Sequence, residues 1–204
     1  MISCDKNDGV WTLTIDRPDK ANSLTAEMLS ELADLAEGAI SSGARVLILT
    51  GQGKVFCGGA DLDAARAGLA QSPDWERLST AIAAFPGLGI AALNGTVAGG
   101  AMGMILACDL RIATPGAQFF YPVMKLGFLP QPSDPARLVA LVGPSRAKMI
   151  LMAGLKIDAD TALRWGLLDR ITEPQSIIED ALALAEDTRA TTSEHASAIK
   201  ALIG

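Results

Sequence analysis

Two short stretches of the chain share one pattern. "VFCGGADL", residues 55–62, and "VAGGAMGM", residues 97–104, each run from apolar residues into Gly-Gly-Ala. A glycine-rich turn at a helix start leaves backbone N–H groups without partners and lets a ligand come close. The helix dipole adds positive potential there. Two such N–H groups aimed at one carbonyl oxygen make an oxyanion hole, where one donor is worth on the order of 3 kcal/mol of transition-state stabilisation. The matched turns are Gly58-Gly59-Ala60 and Gly99-Gly100-Ala101. On the glycines alone, close packing of helix on strand is the better reading.

Other reactive patterns are thin. Neither turn carries G-x-G-x-x-G or G-x-x-x-x-G-K-[ST], and "GQGK" at 51–54 is only a fragment, which disfavours a dinucleotide-dependent oxidoreductase. His195 is the one histidine and falls in a late helix expected to be exposed, so a histidine-rich metal site and a Ser-His-Asp triad are disfavoured. The cysteine pairs of a zinc site are missing, and no metal is expected. Asp134 in "PQPSDPARL" is a candidate proton-transfer group, although helix capping beside Pro135 fits it better. Tyr121 could donate a proton or simply pack. Cys57 could be a nucleophile, but small apolar filling suits it better, and Asp61 reads as a helix-dipole partner. Trp11, Trp75 and Trp165 read as core or edge aromatics.

The elements that must position these residues follow from periodicity. "GVWTLTIDRP" alternates at Val10, Leu13 and Ile15 and reads as a strand. "SLTAEMLSELADLAEGAI", 23–40, has helical spacing with Thr25 as its N-cap. "ARVLILTG", 44–51, and "IAALNG", 90–95, read as buried strands closed by glycine. "DWERLSTAIAAF" reads as a helix, and "LRIATPGAQFFYP" as two strands about Pro115–Gly116. "PARLVALVG", "PSRAKMILMAG", 158–166 and 174–190 read as further helices, with a short strand after Gly166. The uncharged stretch from Phe85 to Cys108 is long enough for a membrane helix, but its glycines, Pro86 and Asn94 argue for strand, turn and helix.

The chain has 204 residues, half of them hydrophobic, which suits one domain with a sizeable core. Its net charge of −6, with no basic cluster, argues against nucleic acid. Three scattered cysteines fit a reducing cytoplasm, and the first ten residues lack the apolar run of a signal peptide.

"RPDKANSLTAEM", "VLILTGQGKVFCGGADL", "IAALNGTVAGGAMGMILACDLRIAT", "AQFFYPVMKLGFLP" and "VGPSRAKMILMAGLKIDADTALRWGLLDRI" occur in an order that resembles the crotonase superfamily, the enoyl-CoA hydratase/isomerase family. The resemblance runs from about Val10 to Ile203. It implies an α/β fold, a spiral of repeated β-β-α units, in a single domain over 1–204. Residues 1–190 would form the core and 191–204 the start of a shortened C-terminal helical region. It implies an acyl-CoA thioester as substrate, with coenzyme A as part of it and no separate cofactor. Ala60 and Gly100 match the residues whose N–H groups hold the thioester oxygen. Lys20, Ala21, Lys54, Cys57, Gly58, Asp61 and Leu62 match the coenzyme A neighbourhood, although Lys20 and Lys54 read equally well as surface lysines. A homotrimer or dimer of trimers is also implied.

The departures concern proton transfer. Gly103 and Val123 stand where hydratases of the family keep two glutamates, and Gln131 where isomerase and dehalogenase relatives often keep an aspartate. Glycine and valine transfer no proton, and each such group commonly contributes ~10²–10⁴-fold. Hydration is therefore in doubt. Isomerisation, decarboxylation and thioester hydrolysis stay open, as does a non-catalytic acyl-CoA-binding or assembly subunit.

Overall fold

The computed structural model describes residues 1–203. Its elements are β1 (Ile2–Asn7), β2 (Val10–Ile15), α1 (Ala26–Ser41), β3 (Val46–Gly51), β4 (Val55–Cys57), α2 (Leu62–Arg66) and α3 (Asp74–Ala83). Then come β5 (Leu88–Leu93), β6 (Thr96–Ala98), α4 (Ala101–Leu106), β7 (Leu110–Ala113), β8 (Gln118–Phe120) and α5 (Val123–Leu126). The rest is α6 (Asp134–Val142), α7 (Pro144–Leu151), β9 (Ile157–Asp158), α8 (Ala159–Trp165), β10 (Arg170–Ile171), α9 (Ile177–Leu184), α10 (Glu186–Ala190) and α11 (Ser193–Ile203).

Strands alternate between two sheets. One has the order β1-β2-β3-β5-β7-β10 and the other β4-β6-β8-β9. Thus β3 and β4, β5 and β6, and β7 and β8 each send one strand to each sheet before a helix, the repeated β-β-α unit expected of the resemblance. Pairing is parallel from β2 through β10 in the first sheet and from β4 through β8 in the second. The Pro115–Gly116 turn therefore joins strands of different sheets.

The uncharged runs make the central strands because both faces of the first sheet are covered. Leu47 and Leu49 of β3 belong to one core with Leu29 and Leu32 of α1 and Leu78 and Ile82 of α3. Val46, Ile48, Ile90 and Ile112 face the other way and pack with Ile177 and Ala181 of α9. Each fully buried side chain of this size contributes about 1.5–3 kcal/mol. Thr25 caps α1 as its sequence indicates, its hydroxyl accepting from Met28 N at 3.3 Å. The helix expected over 174–190 is instead two, α9 and α10, which meet at Ala185.

Strand β1 is absent from the sequence-based reading. It pairs antiparallel with β2 through Asp8 and Gly9, both at positive φ. The Asp-Gly pair is the standard signal for such a hairpin, but "ISCDKN" is an edge strand with little buried surface and so lacks apolar periodicity.

Candidate active site

The two Gly-Gly-Ala turns come together because β4 and β6 are neighbours in the second sheet. The first turn leaves β4 with Gly59 at φ 89°. A Cβ on Gly59 would lie 2.9 Å from Ala98 O and 3.6 Å from Gly100 N, so only glycine lets the two turns approach this closely. The second turn leaves β6 with Gly99 at φ 58°, its N–H donating to Phe120 O at 3.1 Å. Gly100 has ordinary helical φ, and what holds it as glycine is Trp75: a Cβ there would meet the indole at 2.9 Å.

Ala60 is gripped on both sides. Leu24 N donates to Gly59 O and Asp61 N donates to Leu24 O, both at 2.8 Å, a one-residue parallel bridge. Among the described residues neither the Ala60 N–H nor the Gly100 N–H donates to any protein acceptor. Both residues line one cavity of about 560 Å³. Tyr121, Val123 and Gln131 also line it, and Leu62, Leu126 and Leu129 are exposed apolar side chains on its lining.

The loop before α1 braces the first turn. Asn22 is buried at φ 53°, donates to Gln52 O and Val55 O, and accepts from Arg17 N. The Arg17 guanidinium donates to Ser23 O at 3.0 Å and to Asp61 Oδ2 at 2.8 Å. That bond, with the helix N–H groups Asp61 caps, holds its carboxyl below the usual range. Asp61 therefore braces and caps, and its side chain is not part of the cavity wall.

Of the residues matched to a coenzyme A neighbourhood, Ala21, Gly58 and Leu62 line the cavity. Lys20 and Lys54 are exposed and lie outside its lining. Cys57 is sealed from it: its thiol is fully buried, accepts from Gly59 N at 3.4 Å, and is pushed up to about 12 by that burial. A binding or nucleophilic role for its side chain is thereby corrected to one inside the turn.

Asp134 is not a helix cap. It is the first residue of α6, with Ser133 at the N-cap, and it accepts no helix N–H. It is 1% exposed, and Tyr121 Oη donates to its Oδ2 at 2.9 Å. Oδ1 has no hydrogen-bond partner and lies 2.8 Å from where a Cβ on Gly103 would be. Burial pushes its carboxyl up to about 6, opposed by the Tyr121 bond and Arg137 and assisted by Glu76. Tyr121 likewise does more than pack, since its oxygen also accepts from Gln131 N at 3.3 Å. Glu76 of α3 accepts from both the backbone N–H and the hydroxyl of Ser133, fixing the start of α6.

Sequence reading placed Trp75 among the core or edge aromatics, as found, but missed Asn22, the contact of that indole with Gly100 and this Tyr121–Asp134 bond. Only Asn22 had a local signal, as asparagine tolerates the left-handed conformation better than other non-glycine residues.

A second cavity, about 650 Å³, lies under α11. His195 is on its exposed edge, and Lys200 is committed to Phe85 O, Gly87 O and Asp109 Oδ2. Among the described residues no three His, Cys, Asp or Glu side chains are grouped to hold a metal, and no helix is long and apolar enough to cross a membrane.

The comparisons agree with this architecture. The family model described as enoyl-CoA hydratase/isomerase matches residues 5–203. A Mycobacterium leprae protein described as "Probable enoyl-CoA hydratase echA6" is 36% identical over 176 residues, covering 84% of this chain and 71% of that one. The carnitinyl-CoA dehydratase of Citrobacter koseri is 34% identical over 188 residues, covering 87% and 70%. A crystal structure of enoyl-CoA hydratase/isomerase from Pseudoalteromonas atlantica T6c superposes with a TM-score of 0.91 at 30% identity, covering 99% of this chain and 82% of that one. The fold is that of an α/β protein of the crotonase type. The chain belongs to the enoyl-CoA hydratase/isomerase family, whose members act on acyl-CoA.

Proposed function

We propose that this chain binds an acyl-CoA thioester with its carbonyl oxygen between the N–H groups of Ala60 and Gly100, and stabilises the enolate or oxyanion that forms there. The observation that carries this reading is the pair of unpartnered N–H groups on one cavity. A thioester that loses a proton beside its carbonyl, or is attacked at it, places negative charge on that oxygen. Donors fixed in advance stabilise this charge more than the ground state. Coenzyme A enters as part of the substrate, with Ala21, Gly58 and Leu62 at its site and Lys20 and Lys54 as cations for its phosphates. The exposed apolar side chains of Leu126 and Leu129 suit an apolar acyl group.

Water addition is not the favoured reaction, because Gly103 and Val123 supply neither acid nor base. Isomerisation, decarboxylation and thioester hydrolysis all use the same oxygen site. A second reading, an acyl-CoA-binding or assembly subunit without turnover, is favoured by those same two positions together with Gln131. We place the protein in the cytoplasm, in keeping with its three free cysteines. A homotrimer or dimer of trimers is proposed, in keeping with the exposed Met149, Met152 and Leu202.

Calorimetry with an acyl-CoA and its thioether analogue, which lacks the carbonyl oxygen, tests the binding mode. The thioester should bind at least about tenfold more tightly, equivalent to about 1.4 kcal/mol. Equal affinities would remove the oxygen site from the account. Rapid hydration of crotonyl-CoA would overturn the exclusion of hydratase chemistry.

A further inference from the structure

Strand β8 runs parallel beside β6, with Phe120 opposite Ala98. The chain therefore leaves β8 at Tyr121 on the level where Gly99 and Gly100 leave β6. Tyr121 lines the cavity and Asp134 does not. Between them is a hydrogen bond of 2.9 Å. The carboxylate lies against the bare backbone of Gly103, with one oxygen unpartnered. The α4 position without an acidic side chain is thus next to a buried acid from α6, and among the described residues the one hydrogen-bonded link from that acid toward the cavity is the Tyr121 hydroxyl.

We infer that Tyr121 and Asp134 form a proton relay for the carbon next to the thioester carbonyl, in which Tyr121 meets the substrate and Asp134 holds the proton behind it. This rests on the thioester reading above. In the withdrawing direction the C–H bond breaks and its proton passes to Tyr121 Oη, as the Tyr121 proton passes to Asp134 Oδ2. The electron pair of the C–H bond moves into the enolate, whose oxygen accepts from Ala60 and Gly100. In the returning direction each transfer reverses, and no other reactant is needed. Tyr121 ends each direction as a neutral phenol, which suits a hydroxyl whose ionisation is strongly opposed by burial and by the Asp134 charge. The Gln131 N–H holds Tyr121 Oη in place throughout.

Asp134 acts through Tyr121 and is a positioning residue for the proton. The charged groups that act on it are Glu76 from α3 and Arg137 from its own helix, together with the Tyr121 hydroxyl. Glu76 favours its protonated form and Arg137 its ionised form. Proton withdrawal needs the ionised form, so the rate should rise with pH through the Asp134 titration and then level off.

The test is deuterium uptake at the α-carbon of butyryl-, octanoyl- and lauroyl-CoA in D2O, read by mass spectrometry. Binding of the same compounds is measured by calorimetry. We expect catalysed uptake for a compound that binds. Tyr121→Phe and Asp134→Asn should each slow uptake by about 10²-fold or more while affinity changes little. Asp134→Asn should also abolish the rise with pH. Glu76→Gln should move the midpoint of that rise downward and Arg137→Met upward, shifts that a packing role for Asp134 would not produce. Binding without uptake, or variants that exchange at the wild-type rate, would overturn the relay and leave the thioester reading intact. Failure to bind any acyl-CoA would overturn both.

Discussion

A β-carbon on Gly103 would lie 2.8 Å from Asp134 Oδ1 and 3.1 Å from Oδ2, so a carboxylate from α6 rests on the bare backbone of α4. Alanine in a helix interior is worth about 1 kcal/mol over glycine. Here that gain is opposed by the contact. Gly103→Ala should therefore destabilise the native protein by about 1–2 kcal/mol, yet stabilise an Asp134→Ala background. Denaturant melts of the four proteins in the cycle measure the coupling. An identical effect of Gly103→Ala in both backgrounds would contradict the contact.

Asp134 also sets a pH dependence. Its carboxyl titrates near 3.8 when unfolded and at about 6 when folded. Between those values the folded state binds more proton, so this group lowers stability as pH rises and the loss is complete above about 6. Asp134→Asn should thus be more stable than wild type by on the order of 2–3 kcal/mol at pH 8, with the advantage fading toward pH 4. Melting both proteins across this range checks the sign, and a wild type that outlasts the variant at pH 8 would refute it.

Asn22 joins the loop before α1 to both Gln52 and Val55. Alanine would take one donor from Gln52 O and one from Val55 O, which keeps Asn94 Nδ2 at 3.1 Å, and would leave the Arg17 N–H without its acceptor. Asn22→Ala should cost about 2–4 kcal/mol and weaken acyl-CoA binding, because the first turn loses its brace. Asn22→Asp should be no better, since it places a carboxylate oxygen against carbonyl oxygens. Chemical denaturation and calorimetry read the two effects, and an unaltered midpoint for Asn22→Ala would count against the brace.

The cysteines should separate by burial. Cys57 and Cys108 are buried with thiols pushed up to about 12, whereas Cys4 is half-buried on the edge strand. A thiol reagent at pH 8 should label Cys4 in the native protein and reach the other two only on unfolding. Fast native labelling of Cys57 would reopen a chemical role for it.

The sequence made β3 and β5 legible as uncharged strands closed by glycine, and the helix after Gly99-Gly100, but not the three-residue strands β4 and β6 that lead directly into the two Gly-Gly-Ala turns. The resemblance singled out Ala60 and Gly100, whose N–H groups have no protein acceptor among the described residues. The third β-β-α unit lacks a Gly-Gly-Ala mark, yet both of its strands were legible about Pro115–Gly116 and are β7 and β8. The Trp75–Gly100 contact and the Tyr121–Asp134 bond were out of reach of local spacing. Each depends on elements far apart in the chain meeting across the core: α3 against α4 for the indole, and the end of β8 against α6 for the acid. Local spacing suggested a cap for Asp134 because an aspartate beside proline at a helix start usually is one, and only the packed position shows its carboxylate turned inward.

The grip of Leu24 on Ala60 bears on how the site meets a ligand. With ladder bonds on either side, the direction of the Ala60 amide is set before anything binds, so the ligand has little backbone freedom to remove there. In hydrogen-exchange terms, Ala60 and Gly100 would be open amides within a protected neighbourhood. A thioester oxygen seated between them would slow their exchange together and leave the flanking Asp61 amide as it was.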